Sequence, residues 1–409
     1  MAIRPIVSSI ARHKIAAALI VFEIALAFAI VSNAVFMIRN RLQQMEMPSG
    51  VAEHELVQVQ MAYIGNQPDA DARAQTDLAA LRRIPGVKAV ALVDQLPLGG
   101  NSSNGGIKLD PNQSRSTVNA SEYFGEHILS TFGVRLIAGQ GFAPDDYVGL
   151  GAAIKALNRG DTSRLPHRVI ITHALAERLW PGQQPLGRVI YMGADVPMRV
   201  VGVVDRLVRP NQFHNGAGYS VILPLRVNMQ EGASFVIRCA PRDRARILNA
   251  AVSALKRVDP NRVLLESRTF EQVRNRYFRN DRAMAGILAG VISALLLTTA
   301  LGIYGLAGFW VQQRTRQIGL RRALGARRSD ILRYFQAENF ILATGGIVMG
   351  CAGAMGINVW LMTQDAVPRL PVAYLVVSAI ALWALGQLAV LGPALRAARI
   401  PPTSAMRTA

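Results

Sequence analysis

Seven arginines crowd the stretch Val311–Arg333, at positions 314, 316, 321, 322, 327, 328 and 333, and long apolar runs flank it on both sides. Guanidinium groups in such a setting can form forked hydrogen bonds with carboxylates or phosphates. They also hold a loop on the cytoplasmic face of a membrane. A second chemically conspicuous residue is Glu23, inside the apolar run Ile15–Ile38. A carboxylate there is costly, so it must face a bundle interior and be protonated or partnered. Two readings stay open: a proton- or substrate-sensing group, or a helix–helix hydrogen bond to Thr298 or Thr299. Other reactive residues form no constellation. His13, His54, His127, His167, His173 and His214 are scattered, and Cys239 and Cys351 lie in different kinds of segment, so no metal site is expected. The string GxxxxGK[ST] is absent, which excludes a P-loop cradle for ATP. No Ser-His-Asp set or carboxylate pair stands out either. The chain is expected to carry no catalytic residues and to be no enzyme on its own.

The elements that must position these residues follow from composition. Of 409 residues, 51% are hydrophobic and 17% charged, whereas a soluble domain carries about 25% charged residues. The apolar residues gather towards the two ends, the pattern of a membrane protein with a soluble insert. A net charge of +19 raises the possibility of nucleic acid, but no basic-aromatic interleaving or nucleic-acid motif supports it. Anionic lipid beside the spans accounts for the basic excess instead.

Four runs are long enough for a hydrocarbon core of ~30 Å: residues 15–38, 283–310, 340–361 and 374–395. Residues 1–14 read as an interfacial cytoplasmic helix. Gly286/Gly290 and Gly346/Gly350 are spaced to let helices approach closely. The basic loop 311–339 and tail 396–409 fall on the cytoplasmic side, the turn 362–373 on the other, and residues 39–282 become an extracytoplasmic α+β domain. Within it, two strand–helix–strand units, at about 55–95 and 233–266, are expected to pack side by side around an insert. In the insert, Glu122–Phe132 and His173–Trp180 read as helices, and Leu186–Met192, Met198–Val204 and Val221–Leu225 as strands. Asn101–Gly106 and Gly149–Arg164 read as loops.

Order within these segments carries more than pattern. Arg-Thr-Arg-Gln-Ile-Gly-Leu-Arg-Arg-Ala-Leu-Gly-Ala at 314–326, Val-Asn-Ala-Ser-Glu-Tyr-Phe at 118–124 and Trp-Pro-Gly-Gln-Gln-Pro-Leu-Gly at 180–187 resemble the signatures of FtsX/MacB-type permeases, the membrane subunits of type VII ABC transporters. The resemblance implies a bacterial inner-membrane permease whose large domain projects into the periplasm. ATP and Mg would be bound by a separate cytoplasmic ABC ATPase subunit, since the fused ATPase of MacB has no counterpart here. A second permease, identical or sister, would complete the transporter, and a periplasmic adaptor stays open as a further partner. By position, Arg314, Arg316, Gly319, Arg321, Ala323, Gly325, Ala326 and Arg327 fall on the ATPase-coupling motif. Gly325 is expected to break the helix, leaving Arg327–Phe335 as a short helix along the membrane surface. Mechanotransmission for the export of an antibiotic, peptide or lipid-linked substrate is the leading expectation. An FtsX-like regulator of a cell-wall hydrolase is the alternative, with a membrane-anchored sensor behind it.

Overall fold

The computed structural model describes residues 14–65, 69–100, 102–193, 195–211, 216–365 and 368–399. The interfacial helix expected over 1–14 and the tail beyond Arg399 lie outside them, Lys14 excepted. The chain divides into two units, residues 1–46 with 280–409 and residues 47–279. Helix α1, Lys14–Glu46, outruns its apolar core. At 1.5 Å per residue it extends about 50 Å, because no glycine or proline interrupts residues 39–46 and the first breaker is Pro48.

The second unit opens with β1 (Leu56–Ala62), α2 (Ala70–Arg82) and β2 (Val87–Val93). Then come β3 (Asn104–Ile107), β4 (Val118–Phe124), α3 (Ile128–Phe132), β5 (Leu136–Gly139), β6 (Val148–Gly149) and α4 (Leu150–Asn158). After these follow β7 (Arg168–Thr172), α5 (His173–Leu179), β8 (Val189–Met192), β9 (Val196–Val204), β10 (Ser220–Leu223) and β11 (Leu225–Arg226). The unit closes with β12 (Ser234–Cys239), α6 (Arg244–Val258), β13 (Val263–Thr269) and α7 (Phe270–Tyr277).

The two strand–helix–strand units do not sit side by side. They interleave in one antiparallel sheet ordered β13-β1-β12-β2, the split βαβ arrangement. Alternation along β1 and β12 puts Val57, Val59, Phe235 and Ile237 on the face covered by Leu78 and Leu81 of α2 and Ile247, Ala251 and Leu255 of α6. On α2 itself the carboxylate of Asp77 is buried 2.8 Å from Arg262, whose guanidinium lies 4.7 Å from the Tyr63 ring centre. Tyr63 Oη donates to the same carboxylate.

A second sheet, ordered β3-β4-β10-β7-β9-β5 with β8 on β9, is built from the insert. It packs Val169, Ile171, Val200 and Val221 against Leu175 and Leu179 of α5. Three expectations fail here. Residues 118–124 are a strand, and helix survives only over Ile128–Phe132, because β4 pairs with both β3 and β10. Asn104–Ile107 is a strand whose glycines lie where a side chain would strike Glu122 and Ser116. Leu150–Asn158 is a helix, hidden from the sequence because alanines, Ala153 and Ala156, form its buried face.

The first unit resumes with α8 (Arg279–Gln313), α9 (Thr315–Ala323), α10 (Arg328–Asp365) and α11 (Val372–Arg399). Among the described residues, helices α1, α8, α10 and α11 are the four long and apolar enough to cross a membrane. The expected surface helix over 327–335 is not separate. It is the first turns of α10, continuous because the buried positions Ile331, Phe335, Glu338, Leu342 and Asn339 keep one helical stripe with no breaker between them. Helix α10 crosses α1 closely: a Cβ on Gly346 would stand 2.7 Å from Ile24 Cβ, and one on Gly350 2.8 Å from the Ala25 carbonyl. Asn33 Nδ2 seals the crossing by donating to the Ala354 carbonyl, 3.1 Å away.

Candidate coupling site

The arginine-rich stretch folds as a helical hairpin between the second and third spans. Arg314 stands between α8 and α9, and its Nη1 meets both oxygens of Glu338, at 3.1 and 3.0 Å. The Glu338 side chain is 1% exposed, and the guanidinium also lies over Trp310, 5.5 Å from the ring centre. A buried carboxylate needs such a partner, because an unpaired one carries the full desolvation cost. The pair therefore ties the end of α8 to α10.

Helix α9 stops by a Schellman motif. The N–H of Ala326 donates to the Arg321 carbonyl and that of Gly325 to the Arg322 carbonyl, both at 3.1 Å. Gly325 has φ +97°, a left-handed conformation costing other L-residues ~1–2 kcal/mol. The next helix begins at once. Asp330 accepts from the Arg327 N–H at 2.9 Å while its own N–H returns to the Arg327 carbonyl. The Gly-Ala-Arg string is thus a complete stop-and-start signal.

Within the hairpin, Ile318 and Gly319 are buried, and Arg321 lies over Tyr334 at 5.0 Å. Arg316, Ala323 and Arg327 are exposed. Leu320 and Leu324, one turn apart, are 60% and 80% exposed. The outer face of α9 is therefore an apolar pair rimmed by arginines. Such a face can dock a protein groove lined with carboxylates; it holds no group that could act as nucleophile or general base. Among the described residues, no cluster of three or more His, Cys, Asp or Glu side chains could hold a metal.

The remaining sequence-derived residues separate. Glu23 sits over Gly302 of α8, where an added Cβ would lie 2.7 Å from its carboxylate. It does not reach Thr298, whose hydroxyl donates to the Ala294 carbonyl of its own helix. Gly346 and Gly350 make the α1–α10 crossing, whereas Gly286 and Gly290 have nothing within 4 Å of a built Cβ. Among the described residues no neighbour approaches Gly286 or Gly290, and Ile287 beside them is 67% exposed. Sequence reasoning missed Glu338, Leu320 and Leu324. Glu338 had a signal: a lone acid next to an apolar run, opposite a run of arginines.

Two family models match the chain. The MacB-like periplasmic core domain covers residues 16–256, which is more than half of it, and the FtsX-like permease C-terminal covers residues 289–402, which include the hairpin. The chain belongs to the MacB/FtsX-type permease family. This permease is 26% identical over 246 residues to the macrolide export ATP-binding/permease protein MacB of Chromobacterium violaceum, covering 59% of this chain and 36% of that protein. It is 25% identical over 269 residues to the uncharacterized ABC transporter permease YvrN of Bacillus subtilis, covering 62% and 65%. The chain thus spans little more than a third of the MacB relative. The crystal structure of the periplasmic region of MacB from Actinobacillus actinomycetemcomitans aligns at 13% identity with a TM-score of 0.34, covering 57% of this chain and 97% of that one. By the two family models, the α+β unit is a MacB-like periplasmic core domain carried by a permease with several candidate membrane spans.

Proposed function

We propose that this permease is the membrane subunit of an ABC transporter whose ATPase is a separate cytoplasmic chain, docked on the α9–α10 hairpin in the inner membrane. The observation that carries the reading is the exposed Leu320/Leu324 pair at the C-terminal end of α9, where the Schellman turn stops the helix, on a hairpin anchored to the spans through Arg314–Glu338. Lipid attraction accounts for arginines at about 1 kcal/mol each but gives no reason to fix the hairpin so rigidly. A push on α9 reaches α8 through Arg314 and α10 through Glu338, and α8 continues to the periplasmic-type domain. ATP-driven closure of two permeases would thereby move that domain on its substrate without carrying it through the lipid. Relatives are named for macrolide and syringafactin export, which favours an antibiotic, peptide or lipid-linked compound as cargo.

The tagged chain is purified in mild detergent from its native host, and the eluate is assayed for a nucleotide-binding subunit and vanadate-sensitive ATP hydrolysis. Leu324→Asp is expected to abolish both, because it places a carboxylate on the apolar pair, while leaving yield and thermal melting unchanged at this exposed position. A wild-type eluate without either signal would sink the proposal.

A further inference from the structure

A cleft of about 690 Å³ opens in the second sheet of the periplasmic-type domain, lined by Asn104, Asn119, Arg178, Arg209 and Tyr219 together with Val118. Its size falls in the range of small-molecule sites, ~300–1,000 Å³. Arg209 is only 7% exposed. Its Nη2 donates to Asn104 Oδ1 at 2.5 Å, its Nε is buried without an acceptor, and no carboxylate pairs with it among the described residues. Residues 212–215, Gln-Phe-His-Asn, contain no acid. Glu122, the acid on the adjoining strand, is not among the residues that line the cleft; its carboxylate accepts from the Ser103 hydroxyl. Desolvation holds the Arg209 guanidinium below the usual arginine range, as expected of a buried cation short of counter-charge.

A buried charge without a partner is expensive, and the fold spends that energy at the wall of an open cleft. We infer that the cleft binds an oxyanion, a carboxylate or phosphate carried on a small organic body, with Arg209 gripping the anion, Arg178 at the rim and Asn104 and Asn119 beside it. The forked donors of arginine suit both anions. Tyr219 and Val118 supply the apolar wall against which the body of the ligand rests. The site is independent of any ATPase, so its test and that of the coupling hairpin fail separately.

The full chain in detergent is titrated, without nucleotide, with 4-fluorobenzoate, with phenyl phosphate and with neutral 4-fluorobenzamide, at millimolar concentration, followed by ligand-observed NMR. At least one acid is expected to bind, the stronger of the two identifying the anion, and the amide is expected not to. Arg209→Gln should weaken the acid about tenfold or more, the loss of a charge-assisted hydrogen bond. Because a buried arginine can be needed for folding, Arg178→Gln provides the second variant; its side chain is exposed, and it should weaken binding roughly threefold, the worth of a surface charge contact. The inference is overturned if the amide binds as well as the acids, if neither acid binds, or if Arg178→Gln and a folded Arg209→Gln both bind like the parent.

Discussion

At the scale of single residues, two positions convert conformation or ionisation into something measurable. Gly325 needs its left-handed φ, yet a Cβ there meets nothing within 4 Å. Gly325→Ala should therefore cost about 1 kcal/mol through backbone strain alone and leave ATPase association largely intact. Gly325→Pro fixes φ near −65° and removes the N–H that closes the turn; it should abolish association. A pull-down at matched protein level, read beside the thermal melts, checks both. Asp94 lies at the end of β2, and its carboxyl accepts the Phe124 N–H at 2.8 Å. Burial pushes it up to about 8, while an unfolded aspartate titrates at about 3.9. The folded protein thus holds a proton that the unfolded chain releases between those values. Its stabilising contribution is full below about pH 4 and is lost as pH rises through about 8. Burial raises Glu122 in the same direction. Melting temperatures taken from pH 6 to pH 9 should fall more steeply for the parent than for Asp94→Asn, and parallel slopes would refute the assignment.

At the scale of elements, the spans were legible because some twenty consecutive apolar residues leave few alternatives, and their ends were not, because helix continues through polar residues until something breaks it. The domain's helices and strands showed through periodicity, but their arrangement did not. The pairing of β1 with β12 joins Gln58 to Val236, and no local pattern specifies a contact over that distance in sequence. Strand β4 was misread because its inward residues include Ser121, which blurs the two-residue alternation. In the hairpin, the arginines and Gly325 stood out, whereas nothing in the sequence singled out Leu320 and Leu324, whose exposure is what marks them. The small-residue pairs make the same point. Spacing alone gave 286/290 and 346/350 equal standing, and only the neighbouring helix distinguishes them. Gly346→Leu forces a side chain into Ile24 and should lower the melting temperature of the detergent-solubilised chain by several degrees, as overpacking costs about 1–3 kcal/mol. Gly286→Leu meets open space and should leave the melt unchanged. Equal shifts for the two would contradict the packing described for α1 and α10.

At the scale of the whole molecule, the chain passes between its two units twice, after α1 and before α8, so any covalent path to the periplasmic-type domain runs through those helices. Within the first unit they are clamped near that end by an ion pair between Arg41 of α1 and Asp281 of α8, each 27% exposed. A pair so placed adds at most about 1 kcal/mol to stability, too little to explain itself as a structural device. On the coupling proposed above, its consequence would be mechanical: with the clamp closed, α1 and α8 would move together, and with it open, a push on α8 from the hairpin would be absorbed as sliding between them. Under that proposal, Asp281→Asn should barely move the melting temperature while reducing export and leaving hydrolysis by the proposed ATPase running. Restoring the pair in the opposite sense, Arg41→Asp with Asp281→Arg, should recover export, because the clamp depends on opposite charge and not on which helix carries it. Export and hydrolysis are measured together in cells and in vesicles. If the reversed pair stays as uncoupled as the single variant, or if Asp281→Asn exports normally, force does not reach the domain through this clamp.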